Sequence, residues 1–185
     1  MNTVVTSKEE ILKASRELIR QQGWGAVNIR SVAAACGVSV GSIYNYYGSK
    51  ADLVGAAVES VWYEIFHRPE DDAVFRDTLA CLVWMYRQMA SGCKDYPGFF
   101  TLHSLGFLGE DKAEGKQRME QTWQHILDAL CGVLRADPKV RPGAFTPAFT
   151  PEQFAGVLFS LMLSALLRQD YDPGPVLEIV RRTLY

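Results

Sequence analysis

The sequence has no apolar run long enough to cross a membrane. Its longest nearly unbroken one, Phe154–Leu167, is 14 residues interrupted by Ser160 and Ser164, against roughly 18 for a spanning helix. It has no paired cysteines. Cys36, Cys81, Cys93 and Cys131 show no C-x-x-C spacing, and His67, His103 and His125 are scattered. The cysteines therefore read as small buried hydrophobes, and no metal or cofactor is expected. There is no large charge of either sign. A formal net charge of −2 argues against a protein that coats nucleic acid without specificity. Met1–Thr6 lacks the basic-then-apolar order of a signal peptide. No repeat, low-complexity segment or clear strand is evident. A soluble, cytoplasmic, helical protein is the expectation.

What is present is a large apolar fraction with an uneven charge. Of 185 residues, 48% are hydrophobic, enough for one ordinary domain or two small ones sharing a core. Residues 1–50 carry six Lys and Arg against three Glu, whereas residues 51–185 carry 13 against 18 acidic residues. A basic end on an acidic body fits a protein that meets phosphate at one end only.

Residues 28–53 concentrate the local signals. Asn28 can cap a helix. Ile29, Val32, Ala33 and Cys36 follow at helical spacing and give it an apolar face. Gly37 suits the left-handed residue that ends a helix, with Val38 as its apolar seal. Ser39 caps a second, very short helix running to Tyr47. There Ile43 and Tyr47 turn inward and Ser42, Tyr44 and Tyr46 project outward. Gly48 stops it, and Ser49-Lys50-Ala51-Asp52 has the spacing of a capping box. A helix so short and so poor in large apolar residues is shaped for insertion, and the DNA major groove admits one helix.

These residues resemble the TetR family of bacterial transcriptional regulators. The resemblance runs from about Ser7 to about Ser60. It rests on Gly37-Val38-Ser39, then Tyr44-Asn45-Tyr46-Tyr47-Gly48-Ser49-Lys50, then Leu53. Asn28 stands where the family usually has Thr, and Tyr47 where it has Phe. Gly41 sits inside the short helix, where it costs roughly 1 kcal/mol relative to Ala but lets backbone approach DNA closely. The resemblance implies DNA contacts from Asn28, Ile29, Arg30, Ser39, Val40, Gly41, Ser42, Tyr44, Tyr46 and Lys50. Lys50 and Arg30 suit phosphates, and Val40 suits a thymine methyl. Asn45 is the one Arg, Asn or Gln on the short helix, so DNA shape is expected to matter.

The implied architecture is all-α, about nine helices. Residues 1–49 form a three-helix helix-turn-helix DNA-binding domain and 50–185 a helical ligand-binding and dimerisation domain. The first helix is expected over Lys8–Gln22, opened by a Ser7–Glu10 capping box, with Ile11, Ala14 and Leu18 buried. Further helices are expected over Lys50–His67, about Asp71–Ala90 (with Phe75, Leu79, Leu82, Tyr86 and Met89 on one face) and Phe99–Phe107. Three more follow: Glu110–Leu134, one opened by Thr150-Pro151-Glu152-Gln153, and one from near Pro175. Trp62, Trp84, Tyr86, Phe100, His103, Trp123 and Phe159 are candidates to line an apolar effector pocket, against the ordinary alternative that they are core. The helix over Phe154–Leu167 is apolar all round and must be covered all round. Its small residues Gly156, Ser160 and Ser164, with Leu167, offer a face to a second copy.

The resemblance implies a homodimer on a double-stranded, pseudo-palindromic operator, a repressor released by a small-molecule effector. The alternatives are a constitutive DNA-binding dimer and a Ser39 hydrolase. The latter arises because Gly37-Val38-Ser39-Val40-Gly41 matches G-x-S-x-G, a motif that needs a preceding strand. No enzymatic role is expected.

Overall fold

The structure, a computed structural model, describes residues 6–66, 72–100 and 112–185, with side chains of 72 and 112–119 excepted. Eight α-helices occur among the described residues: α1 Lys8–Gln22, α2 Ile29–Cys36, α3 Val40–Tyr44, α4 Lys50–Ile65, α5 Thr78–Asp95, α6 Lys112–Ala136, α7 Pro151–Arg168 and α8 Gly174–Leu184. Two 3-10 turns, Trp24–Ala26 and Asp72–Arg76, connect them. No strand occurs among the described residues. The helix expected over Phe99–Phe107, and with it His103, lies almost wholly outside them. None of the described helices is long and apolar enough to cross a membrane.

The chain forms two compact units. One comprises residues 1–65 and 93–120, the other residues 66–92 and 121–185. The division expected at residues 49 and 50 falls inside the first unit. By packing, α4 belongs with α1–α3.

In the first unit, Ser7 opens α1 with the expected box. Its Oγ accepts from Glu10 N at 3.1 Å, and Glu10 Oε2 accepts from Ser7 N at 3.0 Å. The buried stripe of α1 is Ile11, Ser15 and Ile19, whereas the expected Ala14 and Leu18 are half-buried. Ser15 can be buried because its hydroxyl donates to Ile11 O at 2.8 Å, which leaves no polar group unpaired. α2 buries Ile29, Val32 and Ala33, while Cys36, expected on that face, is half-buried. α4 ends at Ile65, short of the expected His67, and buries nine of its residues.

Glu64 ties three segments of this unit together. Its carboxylate accepts from Arg16 Nε at 2.5 Å, from Arg20, and from the Tyr96 hydroxyl at 2.9 Å. The Arg20 guanidinium also lies 4.7 Å from the Tyr96 ring centroid, a favourable cation–π position. Tyr96 in turn packs on Phe99, which meets Trp24, Trp62 and Phe100 edge-on.

In the second unit, a helix expected from Asp71 is instead a 3-10 turn followed by α5. Asp77 sets that start: its Oδ1 accepts from Ala80 N at 2.9 Å, an N-cap. The buried face of α5 is accordingly Thr78, Cys81, Leu82, Met85, Tyr86, Met89 and Gly92, with Leu79 and Phe75 half-buried. α7 is opened by the Thr150–Gln153 box with Pro151 in its first turn. Asp137, only 5% exposed, joins the start of α5 to the last residue. It accepts from Thr78 N at 2.8 Å, Lys139 N at 2.9 Å and the Tyr185 hydroxyl at 2.5 Å.

Candidate nucleic-acid interface

The helix-turn-helix is built from capping chemistry. Asn28 Oδ1 accepts from Arg30 N and Ser31 N at 3.0 Å each, and Ser31 Oγ accepts from Asn28 N at 3.1 Å. At the other end of α2, Gly37 adopts φ 66° and ψ 28°, a conformation that side chains disfavour. This lets Val38 N reach Ala33 O at 3.0 Å, closing the helix end. The chain then extends through Ser39, whose Oγ accepts from Ser42 N at 3.1 Å and starts α3. The helix proper ends at Tyr44 rather than Tyr47, and single bonds from Asn45 N to Gly41 O and Tyr47 N to Ile43 O carry the turn on.

Ile43 and Tyr47 are buried, as their spacing predicts, and anchor the short helix. Val40 is 40% exposed and Tyr44 51% exposed. Gly41 and Asn45 share that exposed face. A Cβ at Gly41 would meet nothing closer than Ser39 Oγ at 3.7 Å, so the missing side chain serves no packing need within the chain. Arg30 and Lys50 are exposed and form no ion pair or hydrogen bond through their side chains among the described residues. Arg16 and Arg20 of the same unit, by contrast, are engaged by Glu64. Lys50 begins α4, whose first-turn N–H groups have no intrahelical acceptor. Ser49 Oγ caps Asp52 N at 3.0 Å, and Asp52 reaches back to Gly48 N at 3.2 Å rather than to Ser49. The helix-turn-helix and the start of α4 thus expose two cations with no side-chain partner among the described residues, apolar and aromatic groups on α3, and one amide side chain. That combination matches phosphate positioning plus groove contact.

Five expected contacts have other work. The Asn28 side chain is fully engaged, with Nδ2 donating to Ala26 O at 3.3 Å. Ile29 is 6% exposed and belongs to the core. The Ser39 hydroxyl is an N-cap that also lies 2.9 Å from Ser42 Oγ, so Ser42, half-buried, shares its hydroxyl with the cap. Tyr46 is half-buried and donates to Thr6 O at 2.5 Å, tethering the start of the described chain to the turn after α3. Asn45, absent from the expected contacts, stands on the exposed face, where its amide suits an adenine edge. The alternation of buried Ile43 and Tyr47 was the signal that could have found it. Ser39 is preceded by α2 and not by a strand, so the nucleophile-elbow context is missing.

Residues 11–57 match the model of the bacterial regulatory proteins of the tetR family. The transcriptional regulator AcuR of Cereibacter sphaeroides is 27% identical over 156 residues, covering 76% of this chain and 70% of AcuR. Among solved structures, a TetR-family transcriptional regulator from Rhodococcus sp. superposes with TM-score 0.70 at 14% identity, over 96% of this chain and 97% of that one. The regulator FadR from Bacillus subtilis, solved with stearoyl-CoA, gives TM-score 0.63 at 16% identity, over 97% and 100%. The chain thus carries a tetR-type DNA-binding domain over residues 11–57 and shares the fold of solved TetR-family regulators.

The expected effector residues fall in separate places. In the first unit, Trp62 and Phe100 pack edge-on with ring centroids 5.2 Å apart. In the second, Trp84 meets Phe75 at 5.4 Å and Phe66 at 6.3 Å, Trp123 meets Phe159 at 5.8 Å, and Tyr86 is buried at 2% exposure. The Trp123 Nε1 is buried without a hydrogen-bond partner among the described residues. His103 lies outside the described residues. The expected dimer residues share one side of α7. Ser160 and Leu167 are exposed and Gly156 and Ser164 half-buried, with Val157 exposed among them. No group of His, Cys, Asp and Glu that could hold a metal occurs among the described residues.

Proposed function

We propose that this chain is a TetR-family transcriptional regulator, a cytoplasmic homodimer that presents two copies of α3 to a pseudo-palindromic operator and represses transcription until a small molecule binds. In this reading residues 1–49 bind DNA, and residues 50–185 dimerise and take the effector. It has no catalytic role. The observation that carries the reading is the exposed Val40–Gly41–Tyr44–Asn45 face, together with the exposed Arg30 and Lys50, whose side chains have no partner among the described residues. Phosphates would be met by the two cations and base edges by α3.

Dimerisation is supported by α7. Val157 and Leu167 remain 48% and 47% exposed, in line with the small residues Gly156, Ser160 and Ser164 that permit close helix approach. Exposed apolar residues flanking a stripe of small ones suit a helix–helix interaction surface, and a two-fold dimer matches a two-fold operator. An effector is supported by the Trp123 indole N–H, which lacks an acceptor among the described residues at a cost of about 1–3 kcal/mol, and by the fold shared with a regulator solved with stearoyl-CoA. A ligand favouring the DNA-incompetent conformation would shift the population.

Sedimentation equilibrium of Val157→Glu/Leu167→Glu is expected to give monomer where the parent gives dimer. Operator affinity should fall by more than about 100-fold, because one half-site replaces two. A variant that still sediments as dimer contradicts this interface.

A further inference from the structure

An open groove of about 430 Å³ runs between α5 and α8. The chemistry follows from the two helix faces that form it. Leu79, Val83 and Trp84 of α5 and Leu177 of α8 supply an apolar floor, and Arg87 and Arg181 line the same groove. The Tyr185 contact to Asp137, which also holds Thr78 N, puts the end of α8 beside the start of α5. The helices therefore run antiparallel here, and Arg87 lies at the end of the groove remote from Thr78.

The charges are unbalanced in one direction. Asp77, the acidic residue of the lining, is already engaged by Lys139 Nζ at 2.6 Å and by Ala80 N. Those partners hold its carboxyl below the usual carboxylate range, the Lys139 contact most of all. Arg87 is exposed and has no hydrogen bond or ion pair among the described residues. Arg181 has only Glu178, at 3.7 Å. A groove with an apolar floor, one guanidinium without a partner among the described residues and one held only by a long contact to Glu178 sits on a segment that is otherwise acidic. Ile179, the exposed apolar residue of α8, is two positions from both Leu177 and Arg181. That puts it about 200° around the helix from each. The groove thus uses the other flank of α8 from the one that carries exposed Ile179.

We propose that this groove binds an amphiphilic carboxylate, its alkyl chain laid along Leu79, Val83, Trp84 and Leu177 and its carboxylate held by an arginine. Arg87 is the better placed, because its guanidinium fork is free to take a carboxylate through two N–H donors. The site is distinct from the Trp123–Phe159 pair invoked for the effector.

Calorimetric titration of the full chain with decanoate and with decanol, each to about 1 mM, tests it. Decanoate should bind at one site per chain, and decanol about tenfold more weakly or not at all, since only the carboxylate gains charge-assisted bonds. The Arg87→Gln/Arg181→Gln variant, altered at two exposed positions, should keep its melting temperature and lose about tenfold in decanoate affinity. Phe159→Ala should leave decanoate binding in place. Equal binding of the alcohol, no decanoate binding, or an unaltered affinity in the arginine variant overturns the proposal. Loss of decanoate binding in Phe159→Ala but not in the arginine variant overturns it too and assigns the ligand to the interior effector site.

Discussion

Val40→Glu/Tyr44→Ala should abolish specific operator binding and leave the fold untouched. Both side chains are largely exposed, at 40% and 51%, so stability should change by less than about 0.5 kcal/mol each. In the proposed complex the same positions would meet base edges and backbone. Each lost contact of this kind costs about 1–3 kcal/mol, and a glutamate near phosphates adds repulsion. The combined loss is at least about thirtyfold in Kd, read by fluorescence anisotropy on operator DNA, with the thermal melt as the control for folding. Tyr46→Phe is the contrasting variant. The Tyr46 hydroxyl donates to Thr6 O, so its removal should cost about 1 kcal/mol of stability and change operator affinity less than about threefold. A Tyr46→Phe loss equal to that of the double variant would mean that the hydroxyl leaves Thr6 for DNA.

The largest stability loss is expected at Asp137. Its carboxylate satisfies two backbone N–H groups and the Tyr185 hydroxyl while only 5% exposed. Asp137→Ala strands the buried Thr78 N–H and releases the last residue from α5. The cost should be about 2–4 kcal/mol, a fall in Tm of roughly 5–10 °C for a chain of this size. Burial raises the Asp137 pKa, but the bonds from Tyr185, Thr78 and Lys139 outweigh it, and the net shift is downward. Asp77 is shifted the same way. A carboxyl whose pKa is lower folded than unfolded contributes stability that is fully present above the unfolded value, about 3.9. That contribution is lost as pH falls through the folded value. The parent chain should therefore lose stability below about pH 4 more steeply than Asp137→Ala, as thermal melts between pH 3 and 7 (both approximate) would record. Parallel pH curves for the two chains would refute the assigned role of the carboxylate.

The recognition element was legible in the sequence because every one of its boundaries is local. Asn28, Gly37, Ser39 and Gly48 act on backbone within four residues of themselves. Spacing alone predicted that Ile43 and Tyr47 would turn inward. Elsewhere hydrogen bonding places side chains where spacing alone does not predict them. Tyr46 looked outward on a helical projection, but α3 ends at Tyr44 and the altered turn carries its hydroxyl to Thr6. Ser15 was hidden by the rule that polar residues face water, which a hydroxyl bonded to its own helix escapes. Asn28 and Ser39 fit the family's DNA-facing positions, yet their polar atoms are occupied as caps. The Asp77 cap of α5 was overlooked, so the start of that helix was set several residues too early. The aromatic residues proposed for one pocket were grouped by chemistry alone, and residue type carries no information about which rings meet.

The most direct test of the α3 face as the DNA-reading surface is the salt dependence of operator affinity, compared between the parent chain and Lys50→Ala. The logarithm of affinity should fall linearly with the logarithm of salt, with a slope of about −0.9 per phosphate neutralised. Removing Lys50 should reduce that slope by about 1 and weaken all sequences alike. A flat dependence in the parent, or an identical slope in Lys50→Ala, would contradict an interface built on α3 and the start of α4.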